Sequence, residues 1–367
     1  MEESTVKDNF STIYQLLEEL LDFGVPLTTE PNALKALVKP PSIVSRLSSA
    51  MGATSGQISD VLPDGTISNM PWRMSGVSYT QNEIYLDIVE EVDSTLSVDG
   101  RIVSSEVSGV IQANSRLSGV PDLALQFSDP RQIDDCSFHP CVRYNRFERD
   151  QVVSFVPPDG PFELMRYRVL KRETHAVAPC YCSPSIEYDH ENNRGTITLL
   201  AGTRGQSSLV FPGSSGGGGS SSSSSSATVE DVTVTIPFMR SVRTANLKAN
   251  EGTVLYDEAT KVAKWKIGNM ASNRPLKLTG TMILQERKSG KAMAGKQGGL
   301  GTDVSNNASR NSTGTEESPP IQMDWTVPMA SLSGMSVASL SLSSADYKPY
   351  KGVRTLAKSG KFQIRTA

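Results

Sequence analysis

The chain has 367 residues, enough for two or three domains, and its 36 basic and 39 acidic residues give a net charge of −3. This balance argues against nucleic acid as a general partner, because phosphate contacts require an excess of basic side chains. The sequence contains no run of about 18 apolar residues and starts with a polar, acidic segment, so it predicts neither a membrane-spanning helix nor a signal peptide.

The first predicted element is an amphipathic helix over residues 8–24, which Gly24 and Pro26 end. A second short helix is predicted over residues 31–38. Because one short helix cannot bury its apolar face alone, this segment requires a partner surface. A membrane-surface helix is the competing interpretation, and acidic side chains on the polar face argue against it. The apolar stripe consists of Phe10, Ile13, Leu16, Leu17, Leu20 and Leu21.

Residues 39–70 have the composition of a linker, since Pro, Ser, Gly and Asp dominate and the apolar residues show no regular spacing. From Trp72 onward, short alternating segments separated by turn signals predict a mainly β protein built as a β-sandwich. Two low-complexity loops, residues 213–226 and 288–320, cannot form packed structure. The predicted strands include residues 84–92, 101–111, 123–127, 151–156, 162–169, 196–200, 229–237, 254–256 and 263–267.

The first predicted strand carries a candidate binding pattern. Tyr85 and Asp87 alternate with Ile84 and Leu86, so the two pairs lie on opposite faces. An aromatic ring and a carboxylate on the same strand face, two residues apart, can bind a flat ring that carries a terminal hydroxyl group. A half-buried strand with one ordinary surface acid is the alternative explanation of the same alternation.

Three sequence blocks carry a family resemblance. Their order and spacing across residues 71–169 are similar to those of the mu homology domain, the signal-binding half of the medium (mu) subunits of heterotetrameric clathrin-adaptor-type complexes. Within this family they are most similar to the third adaptor complex, which serves lysosome- and vacuole-directed sorting. The blocks are Pro71-Trp72-Arg73 with Asn82 to Val92, then Leu117 to Leu123, and then Phe138 to Val169 with Ser-Phe-Val-Pro-Pro-Asp-Gly at 154–160.

The resemblance implies a domain organisation. Residues 1–38 are expected to be the C-terminal helices of a truncated longin-like domain, followed by the flexible linker 39–70. The body is expected to be an elongated two-subdomain β-sandwich. Subdomain A joins residues 71–175 with 331–367, and the inserted subdomain B, residues 176–330, carries both low-complexity loops.

The resemblance also implies a function: recognition of Tyr-x-x-Φ sorting signals in the cytosolic tails of transmembrane cargo, where Φ is a bulky apolar residue. The signal peptide would extend a sheet edge, and two pockets would give specificity. A phosphorylated signal tyrosine would be rejected by Asp87. The tyrosine pocket maps onto Tyr85, Asp87 and Arg354, and the Φ pocket onto Ile84, Leu86, Val337, Leu340 and Val353.

Two positions depart from the best-known pattern of the family. Ala124 stands where a lysine often contributes to the tyrosine pocket, and Gly352 stands where a tryptophan often flanks the peptide. These departures predict a shallower pocket and a weaker affinity. They also leave open a coat subunit of the same fold that serves only assembly, with an empty pocket.

The implied partners are two large adaptin subunits and a small sigma subunit, and the implied location is cytoplasmic, peripheral on Golgi and endosome membranes and on transport vesicles. Transport would run from Golgi or endosomes to the lysosome or vacuole. A membrane headgroup contact through Lys261, Lys264 and Lys266 is a further candidate. Alternating strand lysines more often mark only a solvated face.

An enzyme or metal protein on an unrelated β-sandwich is the remaining class. The sequence has no phosphate-binding loop and no Gly-x-Ser-x-Gly motif, so it predicts neither catalytic residues nor a cofactor. One cysteine pair is spaced slightly too far apart and the other too closely for a typical zinc site, so no metal is predicted. Free thiols are expected instead. The zinc candidates are Cys136, Cys141, Cys180 and Cys182, with His139 and His175 nearby.

Overall fold

The computed structural model describes residues 3–38, 70–74, 76–169, 178–204, 228–270, 274–285 and 318–366. The predicted linker lies outside these ranges except for Met70, as do the first low-complexity loop and most of the second. The chain divides into two compact units. Unit 1 is Met1–Glu90, Ser108–Leu170 and Ser333–Leu356, and unit 2 is Glu91–Val107, Lys171–Leu332 and Ala357–Ala367.

The N-terminal segment contains three short helices, α1 (Glu3–Asp8), α2 (Phe10–Leu20) and α3 (Pro31–Leu37). The predicted first helix is shorter than expected, because residues 21–26 turn back as the two-residue strands β1 (Leu21–Asp22) and β2 (Val25–Pro26). Phe23 and Gly24 make this turn with φ of 49° and 84°. The apolar side chains of Phe10, Tyr14 and Leu17 are exposed on α2.

The rest of the described chain is almost entirely strands, which confirms the predicted mainly β fold. One further helix, α4 (Tyr144–Asp150), interrupts them. The strands are β3 (Glu83–Leu96), β4 (Ile102–Arg116), β5 (Asp122–Phe127), β6 (Ile133–Phe138), β7 (Val152–Phe155), β8 (Gly160–Val169), β9 (Cys180–Asp189), β10 (Arg194–Thr203), β11 (Val229–Pro237), β12 (Val242–Ala249), β13 (Thr253–Asp257), β14 (Val262–Met270), β15 (Leu276–Leu284), β16 (Ile321–Pro328), β17 (Val337–Ser343) and β18 (Tyr350–Ile364).

Within unit 1, the strand order is β18-β3-β4-β8-β6 in one sheet and β17-β5-β7 in another. Within unit 2, the orders are β13-β14-β11-β16-β18-β3-β4 and β12-β15-β10-β9. Strands β3, β4 and β18 have 14 or 15 residues, so each contributes one half to each unit. For this reason residues 91–107 and 357–367 group with unit 2, whereas the sequence-based division assigns them to subdomain A.

The core of unit 1 explains the orientation of β3. Ile84, Leu86 and Ile88 are at most 2% exposed and pack with apolar side chains of β5, β7 and β8. Tyr85 and Asp87, between them, are half-buried on the opposite face. A shift of register by one residue would move the whole apolar set into water, so core packing holds the other face outward.

A buried polar network stabilises the same unit. The Tyr167 hydroxyl donates to Oε1 of Glu90 at 3.0 Å, and the Ser333 amide donates to Oε2 of Glu90 at 3.0 Å. Burial and the neighbouring Glu90 carboxyl raise the pKa of Tyr167 well above its usual value. Gly109 leaves room for the Tyr167 ring, because a Cβ at that position would overlap the ring.

Arg73, ten residues before β3 begins, binds the segments that follow β4 and β7. Its guanidinium donates to the carbonyls of Gly119 at 2.8 Å, Pro157 at 2.9 Å and Leu117 at 2.5 Å. The side chain is buried, and desolvation lowers its pKa from the usual value. Three carbonyls in three directions match the forked donors of arginine, which a lysine ammonium does not reproduce.

We therefore expect Arg73→Lys to lower the free energy of unfolding by about 2 kcal/mol, because buried carbonyls lose their donors. The measurement is urea-induced unfolding of the full chain. The matched control is Arg131→Lys at an exposed position, which should stay within about 0.5 kcal/mol of the wild type. Equal stabilities of the two variants would contradict the anchoring role of Arg73.

Candidate functional site

The candidate site lies on neighbouring strands β3 and β18. The Tyr350 amide donates to the Asn82 carbonyl at 2.9 Å near the start of both strands, and the Arg365 amide donates to the Leu96 carbonyl at 2.9 Å near their end. The two strands therefore run in the same direction, which places side chains more than 260 residues apart in sequence next to one another.

Asp87 and Arg354 form a two-pronged ion pair across these strands. Nε of Arg354 donates to Oδ1 of Asp87 at 2.7 Å, and the second nitrogen donates to Oδ2 at 2.8 Å. The hydrogen bonds and the charge of Asp87 raise the pKa of Arg354. The Asp87 side chain is still 39% exposed. Each of its oxygens keeps a further lone pair, so the oriented carboxylate can accept a hydrogen bond from a ligand.

Tyr85 lies beside this pair and is held by its own hydroxyl. The hydroxyl donates to Oε2 of Glu83 at 3.1 Å, and Arg116 approaches the other oxygen of Glu83 at 3.3 Å. The hydrogen bond to Glu83, followed by burial, raises the pKa of Tyr85. Sequence reasoning missed Glu83, although its position two residues before Tyr85 places it on the same strand face.

Gly352 provides the space in which the Tyr85 ring lies. A Cβ built at Gly352 would be 2.6 Å from Cδ1 of Tyr85. The Tyr350 ring lies on the same side, with its centroid 5.7 Å from that of Tyr85. The sequence suggests that glycine leaves the pocket shallower, whereas in the structure the ring of Tyr85 covers this position.

The residues predicted for the Φ pocket lie mainly on the other face of β3. Ile84 and Leu86 have 0% exposure, and Val337 and Leu340 of β17 pack against the same core cluster. Val353 is 42% exposed on β18. The structure thus brings four of the five residues together, but the two from β3 present no open surface.

Strand β17 provides an edge beside this apolar group. It lies at the end of its sheet among the described strands, antiparallel to β5, with Ser341 opposite Ala124. The ammonium of Lys351, at the start of β18, donates to the Leu340 carbonyl at 2.6 Å. A lysine side chain thus binds a backbone acceptor on this edge.

The three candidate membrane lysines lie in unit 2, and their side chains have different surroundings. Lys264 and Lys266 are exposed on β14, directly opposite Leu255 and Thr253 of β13. Lys261 is in the preceding turn with φ of 59°, and its ammonium donates to the Arg243 carbonyl at 2.9 Å. Lys264 and Lys266 therefore share one face, while Lys261 contacts the backbone.

The thiols lie in surroundings that favour their neutral form. Burial raises the pKa of Cys141 and of Cys182 to about 12 and raises that of Cys180 further. Within the described ranges no group of three or more His, Cys, Asp or Glu side chains is arranged to hold a metal ion. His175 lies outside those ranges. Among the described helices, none is long and apolar enough to cross a membrane.

Comparison with known proteins gives consistent matches. Residues 70–366 match the family model described as the adaptor complexes medium subunit family. The AP-3 complex subunit mu of Dictyostelium discoideum is 38% identical over 364 residues, covering 99% of this chain and 76% of the relative. The human AP-3 complex subunit mu-1 is 36% identical, with 99% and 77% coverage. The yeast delta-COP-I mu-homology domain shares the fold, with a TM-score of 0.51, 16% identity, and coverage of 78% of this chain and all of that domain.

The contact between Gly352 and Tyr85 generates a prediction. We expect Gly352→Ala to destabilise the chain by about 1–3 kcal/mol, because the added methyl group and the ring require the same space. The measurement is a double-mutant cycle of urea-induced unfolding with Tyr85→Ala. In the Tyr85→Ala background, the added methyl group should have almost no effect. A penalty of equal size in both backgrounds would show that the ring is not the cause.

Proposed function

The chain belongs to the adaptor complexes medium subunit family, and from this premise we propose that it recognises Tyr-x-x-Φ sorting signals in the cytosolic tails of cargo proteins. The observation that carries the proposal is the Asp87–Arg354 pair next to Tyr85. An oriented and accessible carboxylate accepts the hydroxyl of a signal tyrosine, while the Arg354 guanidinium and the Tyr85 ring contact its aromatic face.

The spacing of the signal supports the same proposal. In an extended peptide successive side chains alternate, so residues three apart point to opposite sides. The proposed tyrosine site and the proposed Φ group also lie on opposite faces of β3, with Tyr85 and Asp87 on one and Ile84 and Leu86 on the other. A peptide pairing with β17 would have its main-chain hydrogen bonds there and replace Lys351 at the Leu340 carbonyl.

A second candidate function is assembly of a coat without signal binding. The complete burial of Ile84 and Leu86 favours it, because the Φ residue needs an opening that these side chains do not present. Signal binding therefore requires Val337 or Leu340 to move when the peptide arrives. Such rearrangement of interface side chains on binding is common in pre-organised complexes.

The proposed setting is a heterotetramer with two large adaptin subunits and one small sigma subunit. The chain would act peripherally, on the cytoplasmic side of Golgi, endosome and vesicle membranes, in traffic towards the lysosome or vacuole. The AP-3 relatives support this setting. In this proposal the chain has no catalytic step. Its action consists of binding the cargo tail and the coat simultaneously.

The test of signal recognition is binding of the full chain to a labelled peptide that contains Tyr-x-x-Leu, followed by fluorescence anisotropy. We expect Asp87→Asn to weaken binding at least about tenfold, because a hydrogen bond to a charged acceptor is lost. The peptide with alanine in place of its tyrosine should bind equally weakly.

Glu91→Gln is the matched control for that experiment. Glu91 pairs with Lys358 at 2.8 Å on the same two strands, outside the candidate site. Its substitution should leave the affinity unchanged. Equal binding of both peptides to the wild type, or no binding at all, would exclude signal recognition by this site and favour the assembly function.

We also propose that Lys264 and Lys266 contact anionic headgroups, with the exposed Leu255 beside them at the bilayer surface. We expect the double variant Lys264→Glu, Lys266→Glu to lose at least about tenfold in affinity for vesicles of phosphatidylcholine with 5% phosphoinositide, about 1 kcal/mol per lysine side chain. The measurement is vesicle co-sedimentation. Lys277→Glu, at an exposed position of β15, is the control. A loss of equal size in the control variant would contradict a specific face.

A further inference from the structure

The extended residues before α3 and the first residues of that helix contact a groove on the β body of unit 1. We define the strap as residues 28–35, of which 31–35 are helical, and the groove as the surface that faces it. Within the strap Thr28 and Glu30 are half-buried while Thr29 between them is exposed, as an extended segment against a surface requires. The groove is formed by Pro71, Trp72, His139, Pro140, Asp159 and Phe162.

The main contact between strap and groove is the Glu30–His139 pair. Oε2 of Glu30 lies 2.9 Å from Nε2 of His139, and the two side chains are only 17% and 14% exposed. The other ring nitrogen, Nδ1, accepts the Cys141 amide at 3.1 Å. A neutral imidazole with its proton on Nε2 satisfies both contacts, so the backbone at Cys141 orients the ring towards Glu30.

Asn32 makes the second contact. Its side-chain amide donates to the Trp72 carbonyl at 3.0 Å and to the Asp159 carbonyl at 3.3 Å. The Trp72 indole donates to the Val156 carbonyl at 2.9 Å, so this acceptor belongs to a rigid part of the body. The strap therefore meets the groove at two points, an acid and an amide, with Pro31 between them.

Glu30 makes this contact from the N-cap position of α3. Its side chain makes no capping hydrogen bond, and glutamate is not among the residues that commonly cap a helix. The carboxylate contacts His139, a residue 109 positions away in sequence.

The contact is polar and leaves space around it. A cavity of about 730 Å³ lies between strap and groove, and Leu27, immediately before the strap, is 67% exposed. The two contacts described above are hydrogen bonds, and water can replace both partners when the strap separates from the groove. Such an interface is suited to reversible attachment.

We propose that the groove is a binding site for an acidic segment with Glu-Pro-Asn at the start of a short helix, and that its occupant is the chain's own strap. In the attached state, the strap holds the N-terminal segment against the β body. In the detached state, the groove is open to a second segment of the same chemistry. This inference is independent of signal recognition by Asp87 and Arg354.

The test uses the full chain and a labelled peptide with the sequence of residues 27–37. In the wild type the strap is covalently attached and competes at high effective concentration. We expect the double variant Glu30→Ala, Asn32→Ala to bind the peptide at least about tenfold more tightly than the wild type, because its own strap has lost both contacts. A peptide with alanine in place of the glutamate should not bind the open variant.

Two controls keep the result interpretable. Glu3→Gln removes an exposed carboxylate that pairs with Lys7 in the same N-terminal segment, and it should behave as the wild type. His139→Ala, added to the open variant, should abolish peptide binding while thermal melting shows that the chain stays folded. Equal binding by wild type and open variant, no binding by either, or equal binding of the alanine peptide would overturn the proposal.

Discussion

The burial of one face of β3 is the constraint on which the candidate site depends. Ile84, Leu86 and Ile88 are removed from water, and each contributes about 1.5–3 kcal/mol relative to exposure. A strand with a period of two cannot bury these side chains without turning Tyr85 and Asp87 outward. The orientation of the polar pair therefore follows from the stability of the core and needs no separate source of free energy.

The second strand of the site adds chemistry that β3 alone lacks. Arg354 holds the Asp87 carboxylate in a fixed plane, and Gly352 leaves the space that the Tyr85 ring occupies. Such pre-organisation lowers the entropic cost of binding a ligand, because the receptor groups are already ordered. The apolar side of the site is different, since it is closed by core packing and has to rearrange. The tyrosine side of the proposed pocket is thus pre-organised, whereas the Φ side is not.

Polar contacts also connect the segments around the body. Arg73 binds three carbonyls in the segments that follow β4 and β7, and Glu30 contacts His139 across the groove. The two contacts differ in strength for a physical reason. Arg73 is buried, so its loss leaves unpaired acceptors out of water, whereas Glu30 and His139 both become accessible to water when the strap leaves the groove. The Arg73 contact is therefore suited to permanent anchoring, and the Glu30–His139 contact to reversible attachment of the strap.

The sequence by itself determined the mainly β class, the positions of most strands and the separation of Tyr85 and Asp87 from Ile84 and Leu86, because alternation is a local property of the chain. The family resemblance added Arg354. Only the tertiary structure decided that the ring of Tyr85 fills the space at Gly352 and that Ile84 and Leu86 are closed to solvent. These features depend on packing between segments far apart in sequence, which no local pattern encodes.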